Sequence, residues 1–225
     1  MAIEPLNFKP RSLADPGQLI VGWPADYWES YKHPTMQGQL DRAMAMVKPR
    51  LVSWMGGHLP DCPGFLLHGK PGYGKSATGL ALLLCAARWG FSCRFVTAAH
   101  LAAERESTTY SARDGQTALA LLESVLAPMV LMVDDIGTRE YSPQARELFF
   151  DAVRERHSRK SITILTTNLK LGADDNTEAE KAAAAQGAQL FARSVDARVL
   201  STYNGWTFNA ARWGSQSAPA KSLRG

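Results

Sequence analysis

Eight residues, Gly69-Lys70-Pro71-Gly72-Tyr73-Gly74-Lys75-Ser76, narrow what this chain can fold into more than any other part of its sequence. They match G-x-x-x-x-G-K-[ST] and stand between two segments of different character. Before them, GFLLHG (64–69) is a short apolar run bounded by glycines, the pattern of a buried strand. After them, Lys75 to Trp89 is apolar nearly all round, a buried helix with Gly90 as its stop. Strand, glycine-rich turn and helix in that order aim backbone N–H groups and a helix N-terminus at a polyphosphate. The motif predicts nucleotide binding by Gly69 to Ser76 and the adjoining Ala77, with Lys75 on the β- and γ-phosphates and the Ser76 hydroxyl on Mg²⁺.

The rest of the chain alternates in the same way. Leu40, Met44, Val47, Leu51 and Trp54 mark one face of a helix that Pro49 would kink or split. FSCRFVTA (91–98) reads as the next strand, 116–126 as a helix, and PMVLMVDD (128–135) as a strand covered on both faces. Ser142 followed by Pro143 is a helix start, and that helix should bury Leu148, Phe149, Ala152 and Val153 with charge on its other face. SITILTTN (161–168) is another strand, Thr177 with Glu180 forms a capping box, and GWTFN (205–209) reads as a last strand. Strands separated by helices predict an α/β fold, a parallel sheet with helices on both faces. Residues 1–35 are rich in Pro, Trp and Tyr without helical period. They read as an arm, 36–209 as the core and 210–225 as a flexible basic tail.

A parallel sheet binds its ligands at the C-terminal ends of its strands. Asp134 and Asp135 end one strand, since a double acid cannot continue into a buried one. Asp134 is expected on Mg²⁺, and Asp135 either orients the attacking water or caps the turn that follows. Asn168 ends another strand, where it contacts the γ-phosphate or the water, or simply forms the turn. An adjacent acid pair favours water over a small-molecule acceptor, which argues against a small-molecule kinase.

Composition sets outer limits. The chain has 225 residues, 45% apolar and 20% charged, enough for one buried core. A net charge of +4 and a pI near 9.0 are compatible with a nucleic-acid partner without requiring one. Three cysteines without metal spacing, an N-terminus of prolines and charge, and no apolar run of about 18–20 residues point to a cytoplasmic protein with no membrane contact.

With these motifs in view, the sequence from about Val21 to Trp213 resembles the AAA+ ATPases of the DnaC/IstB type, the bacterial helicase loaders and transposition helper ATPases. GFLLHGKPGYGKS looks like the family's Walker A segment, LMVDDIG like its Walker B, and ITILTTNL like its sensor strand, with Asn168 as sensor 1. SVDARVLSTYNGWTFNAARW looks like its C-terminal box. On that match Arg198 is the candidate arginine finger for a neighbouring subunit, with Arg193 second, unless either pairs with Asp196 or solvent. The resemblance implies a homo-oligomer formed on ATP. It also implies DNA contact, single strands favoured, from HLAAERESTTYSARDGQ (100–116), where Arg105 and Arg113 would meet phosphates and Tyr110 would stack on a base. On residues alone that stretch is a polar loop. The client is a replicative helicase or, as in IstB, a transposase; a switch or scaffold with little turnover is the alternative from another class. Lys70 stands where the family usually has proline and Tyr73 where it has threonine. Asp135 is shorter than the Glu of many AAA+ proteins, which implies slow hydrolysis. The lengths outside the core imply neither a helical lid nor a dedicated helicase-gripping domain.

Overall fold

Short apolar runs that leave no face for water become the inner strands of a parallel sheet. The computed structural model describes residues 15–29, 34–59, 61–108, 114–173 and 177–211. Over these the chain runs α1 (Pro16–Leu19), β1 (Ile20–Val21), α2 (Ala25–Glu29), α3 (Pro34–Met55), β2 (Gly64–His68), α4 (Lys75–Arg88) and β3 (Cys93–Thr97). It continues α5 (Ala98–Thr108), α6 (Asp114–Leu126), β4 (Val130–Asp134), α7 (Pro143–Ser158), β5 (Ile162–Thr167), α8 (Glu178–Ser194), α9 (Ala197–Thr202) and β6 (Thr207–Asn209). The strands form one sheet in the order β1-β3-β4-β5-β2-β6, and every neighbouring pair is parallel.

Helices cover both faces, as the alternation of elements requires. On one face Val47 and Leu51 of α3 and Leu80 and Leu83 of α4 pack on Phe65, Met132 and Ile164. On the other, Leu101, Val125, Phe149, Phe191 and Val199 from α5 to α9 pack on Leu66, Val133 and Leu165. The capping residues act where the sequence placed them. The Ser142 hydroxyl accepts from the Ala145 N–H at 3.3 Å with Pro143 opening α7, and Thr177 accepts from the Glu180 N–H at 3.3 Å.

Four features differ from the sequence reading. Residues 98–108 form α5 where a polar loop was expected, because Ala98, Leu101 and Ala102 make an i, i+3, i+4 stripe buried on the sheet. Helix α3 passes through Pro49 as one element, so the split offered as one alternative does not occur. Its buried stripe of Ala43, Val47, Leu51 and Trp54 holds it from one side while Pro49 faces outward. The segment read as an arm supplies β1, whose Ile20 and Val21 pair with Cys93 and Arg94 at the sheet's edge.

The last difference lies on α7. Its core face carries Arg156, fully buried among apolar residues. The guanidinium donates to the carbonyls of Val125 (2.8 Å), Leu126 (3.5 Å), Pro128 (2.6 Å), Met129 (3.3 Å) and Ile162 (2.5 Å), and Nε donates to Thr163 Oγ1 at 2.8 Å. Its donors satisfy the C-terminal carbonyls of α6 and join them to β5. Burial lowers its pKa to about 10, so the group stays charged at neutral pH.

Candidate functional site

Sheet order decides which strand ends meet. Strand β5 lies between β2, which leads into the glycine-rich loop, and β4, which ends in the acids. The residues at the end of β5 are therefore held between loop and acids. The three strand ends and the loop enclose a cleft of about 240 Å³ lined by Pro71, Gly72, Gly74, Lys75, Ser76, Asp134, Asp135, Thr166 and Asn168. Sequence reading named all of these but Thr166.

The loop leaves β2 and turns back over the end of α4. Gly72 and Gly74 take φ of +83° and +75°, left-handed values that a side chain would strain, and a Cβ at Gly72 would meet nothing within 4 Å. The loop backbone thus borders open space on the side where a ligand would sit. Lys75 is buried, and its ammonium donates to the Lys70 carbonyl at 2.8 Å. Burial lowers its pKa to about 8, opposed by the nearby charges of Asp134 and Asp135.

Asp134 is also buried, at 6% exposure. Burial raises its pKa, while hydrogen bonds from Thr166 and Ser76 and the charge of Lys75 pull it back. Asp135 is exposed and left-handed, at φ 59°. Aspartate tolerates that region because its short carboxylate bonds locally. Here Oδ1 accepts from Asn168 Nδ2 at 2.8 Å, and Thr138 Oγ1 lies 3.2 Å from the Asp135 carbonyl oxygen and 3.4 Å from Oδ2. Asp135 thus shapes its own turn, and its carboxylate reaches the end of β5.

Two further residues were missed. Thr166 touches both acids, and His68, 2% exposed at the end of β2, accepts the Leu171 N–H on Nδ1 at 3.2 Å. For His68 a polar side chain closing an otherwise apolar strand was the available signal; Thr166, followed by Thr167 within β5, carries none.

The donor set fits a magnesium nucleotide. The Ser76 hydroxyl and the Asp134 carboxylate are hard oxygen ligands side by side, next to the Lys75 cation. Among the described residues no group of three or more His, Cys, Asp or Glu could hold a metal by itself, so phosphate oxygens would complete the shell. Bound there, Mg²⁺ would neutralise developing charge on the phosphates.

The other expected site residues lie elsewhere. Arg198, in the first turn of α9, donates to the Asp196 carboxylate from Nε at 3.0 Å and Nη2 at 2.8 Å, and its guanidinium carbon stands 3.6 Å from the Phe150 ring centre. Arg193 Nη2 reaches Glu140 Oε1 at 3.3 Å. Neither lines the cleft of its own chain. Arg105 sits in the last turn of α5, and Tyr110 and Arg113 lie outside the described residues. Among the described residues, no helix is long and apolar enough to cross a membrane.

A parallel sheet that brings a phosphate loop, an acid pair and a polar sensor-type residue to one edge defines an AAA+ P-loop ATPase fold. Residues 59–205 match the family described as IstB-like ATP binding protein. The chain belongs to this DnaC/IstB-type family of AAA+ ATP-binding proteins. Its fold is similar to that of the DnaC helicase loader, with TM-score 0.56 and 22% identity over 76% of this chain and 89% of that one. It is also similar to DnaI, with TM-score 0.59 and 20% identity over 85% and 96%. AMPPCP-bound DnaA from Aquifex aeolicus gives TM-score 0.51 and 14% identity over 71% of this chain and 45% of that one. At these identities the likeness is one of fold. No curated protein matches the chain.

Proposed function

We propose that this protein hydrolyses ATP, assembles on DNA as an ATP-dependent oligomer and delivers a replicative helicase. The observation that carries the hydrolysis is the juxtaposition of Asp135 and Asn168 opposite Lys75 and Ser76 in one cleft. Lys75 and the loop amides bind the phosphates, and Ser76 with Asp134 holds Mg²⁺. Asp135, oriented by Asn168, takes the proton of a water attacking the γ-phosphorus, while the bond to the β-phosphate oxygen breaks and ADP leaves with the electron pair. Arg198 is the residue offered to a neighbouring subunit's nucleotide. Arg105, Tyr110 and Arg113 contact single-stranded DNA, and residues 1–35 dock the client beyond the edge strand they contribute. The fold likeness to the DnaC helicase loader supports this choice of client.

The family match supports a second reading, delivery of a transposase by an IstB-like helper. A pull-down decides between them. The full chain with ATP should retain the replicative helicase when a transposase competes. Retention of the transposase instead would overturn helicase delivery and leave the ATPase reading intact.

A further inference from the structure

We infer that Thr166 is a positioning residue whose single hydroxyl fixes both acids of the site at once. The inference rests on the ATPase reading above and adds a residue to it. Thr166 lies near the end of β5, 1% exposed. Its carbonyl accepts from the Ile136 N–H at 2.8 Å, which ties it to the chain just beyond Asp135. Its hydroxyl oxygen accepts from the Asp135 N–H at 2.9 Å and lies 2.5 Å from Asp134 Oδ1. A hydroxyl has one proton, and an N–H already points at its oxygen, so that proton goes to the Asp134 carboxylate.

Two consequences follow for the acids. Asp134 has one oxygen committed in a buried place, so its carboxylate cannot rotate without losing a charge-assisted bond. Asp135 is kept left-handed at φ 59°, a conformation that persists only where its surroundings over-determine it. The Thr166 hydroxyl pins its backbone, and Asn168 then receives its carboxylate at 2.8 Å. Lys75 and the loop amides stand on a separate segment that Thr166 does not hold. Loss of the hydroxyl should therefore loosen metal placement and water activation while leaving phosphate binding in place.

The full chain is tested as Thr166→Val, which keeps shape but loses both bonds, and Thr166→Ser, which keeps them. Valine should lower kcat about tenfold or more with KM within about threefold, while serine stays within about threefold of wild type in both. Binding of a non-hydrolysable ATP analogue titrated with Mg²⁺ gives the second readout. Valine should raise the Mg²⁺ needed for half-maximal binding about tenfold, serine should not, and analogue affinity without Mg²⁺ should be unchanged in both. Wild-type behaviour in valine, or equal loss in serine, overturns the inference. If the valine variant does not fold, Thr166→Ala, which also loses both bonds, takes its place: the same fall in kcat and rise in Mg²⁺ demand support the role and wild-type values overturn it. If the wild type shows no turnover, the ATPase reading falls, and the Mg²⁺ titration alone judges Thr166.

Discussion

The Asn168 amide donates to the Asp135 carboxylate across 2.8 Å, joining the end of β5 to the turn after β4. The two residues are 33 positions apart in the chain and meet because their strands are neighbours. An amide held on an exposed carboxylate aligns one of its oxygens, and the other, 3.4 Å from Thr138 Oγ1, keeps a lone pair for a water. Asn168→Ala should therefore lower kcat by about 10- to 100-fold, the worth of one hydrogen bond to a charged group. Nucleotide affinity should stay within about threefold. Single-turnover hydrolysis beside a nucleotide titration checks this, and equal losses in both would show that Asn168 holds ATP rather than the attacking side.

Lys75 is the cation of the cleft, and burial has already taken away part of its hydration. Its ammonium donates to the Lys70 carbonyl, a neutral partner it can exchange for phosphate. Lys75→Ala should weaken ATP binding at least about 30-fold, the worth of a charge-assisted contact to phosphate. Calorimetric titration measures it. Unchanged affinity would remove the nucleotide assignment of the loop.

Sequence exposed those parts of the site whose spacing is local. The loop, the acid pair and Asn168 each close an apolar run, and a polar residue at such an end must face a parallel sheet's ligand edge. Thr166 was hidden because its role depends on β5 lying between β2 and β4, a non-local fact of strand order. Arg156 falls at helical spacing with Ala152 and Val153, but charge argued for solvent, and only the unpaired carbonyls ending α6 reveal why it is inside. Helix α5 has one short apolar stripe among charges, too little periodicity to stand out beside its polar neighbours.

Arg156 leads to a stability prediction independent of nucleotide. Its removal leaves buried carbonyls of Val125 and Pro128 without that donor and opens a cavity under α7. Arg156→Met should cost about 3 kcal/mol or more, lowering the unfolding midpoint by on the order of 10 °C for a chain of this size. Arg156→Lys should rescue little, because an ammonium cannot span carbonyls on both sides of the fork. Thermal unfolding of both variants tests the assignment. A midpoint unchanged in Arg156→Met would mean the buried network contributes nothing net.

Arg198 is exposed yet held in place by Asp196 and Phe150. A cation stacked and paired on its own surface is pre-ordered for a partner's phosphate at little entropic cost. If it serves the neighbouring subunit, Arg198→Ala should leave ATP affinity of the isolated subunit within about twofold while lowering turnover of the assembled form about tenfold or more. Asp196→Ala should show a smaller loss of the same kind. Mixing experiments provide the decisive readout: Arg198→Ala subunits should regain turnover when assembled with Lys75→Ala subunits, which keep the arginine. Failure of that mixture to recover any activity would count against a role across the interface.

The chain's net charge of +4 cannot by itself distinguish binding from its absence, so the test must resolve individual contacts. Each arginine that meets a phosphate on a single strand releases condensed counterions and contributes about −0.7 to the slope of log K against log salt. If Arg105 and Arg113 both do so, Arg105→Ala and Arg113→Ala should each flatten the slope by about 0.7. Tyr110→Ala should instead weaken binding by about 1–3 kcal/mol at every salt concentration with the slope unchanged, because stacking releases no counterions. Fluorescence anisotropy with a labelled single-stranded oligonucleotide across salt concentrations separates the two effects. Slopes equal to wild type in both arginine variants would place the phosphate contacts on other residues.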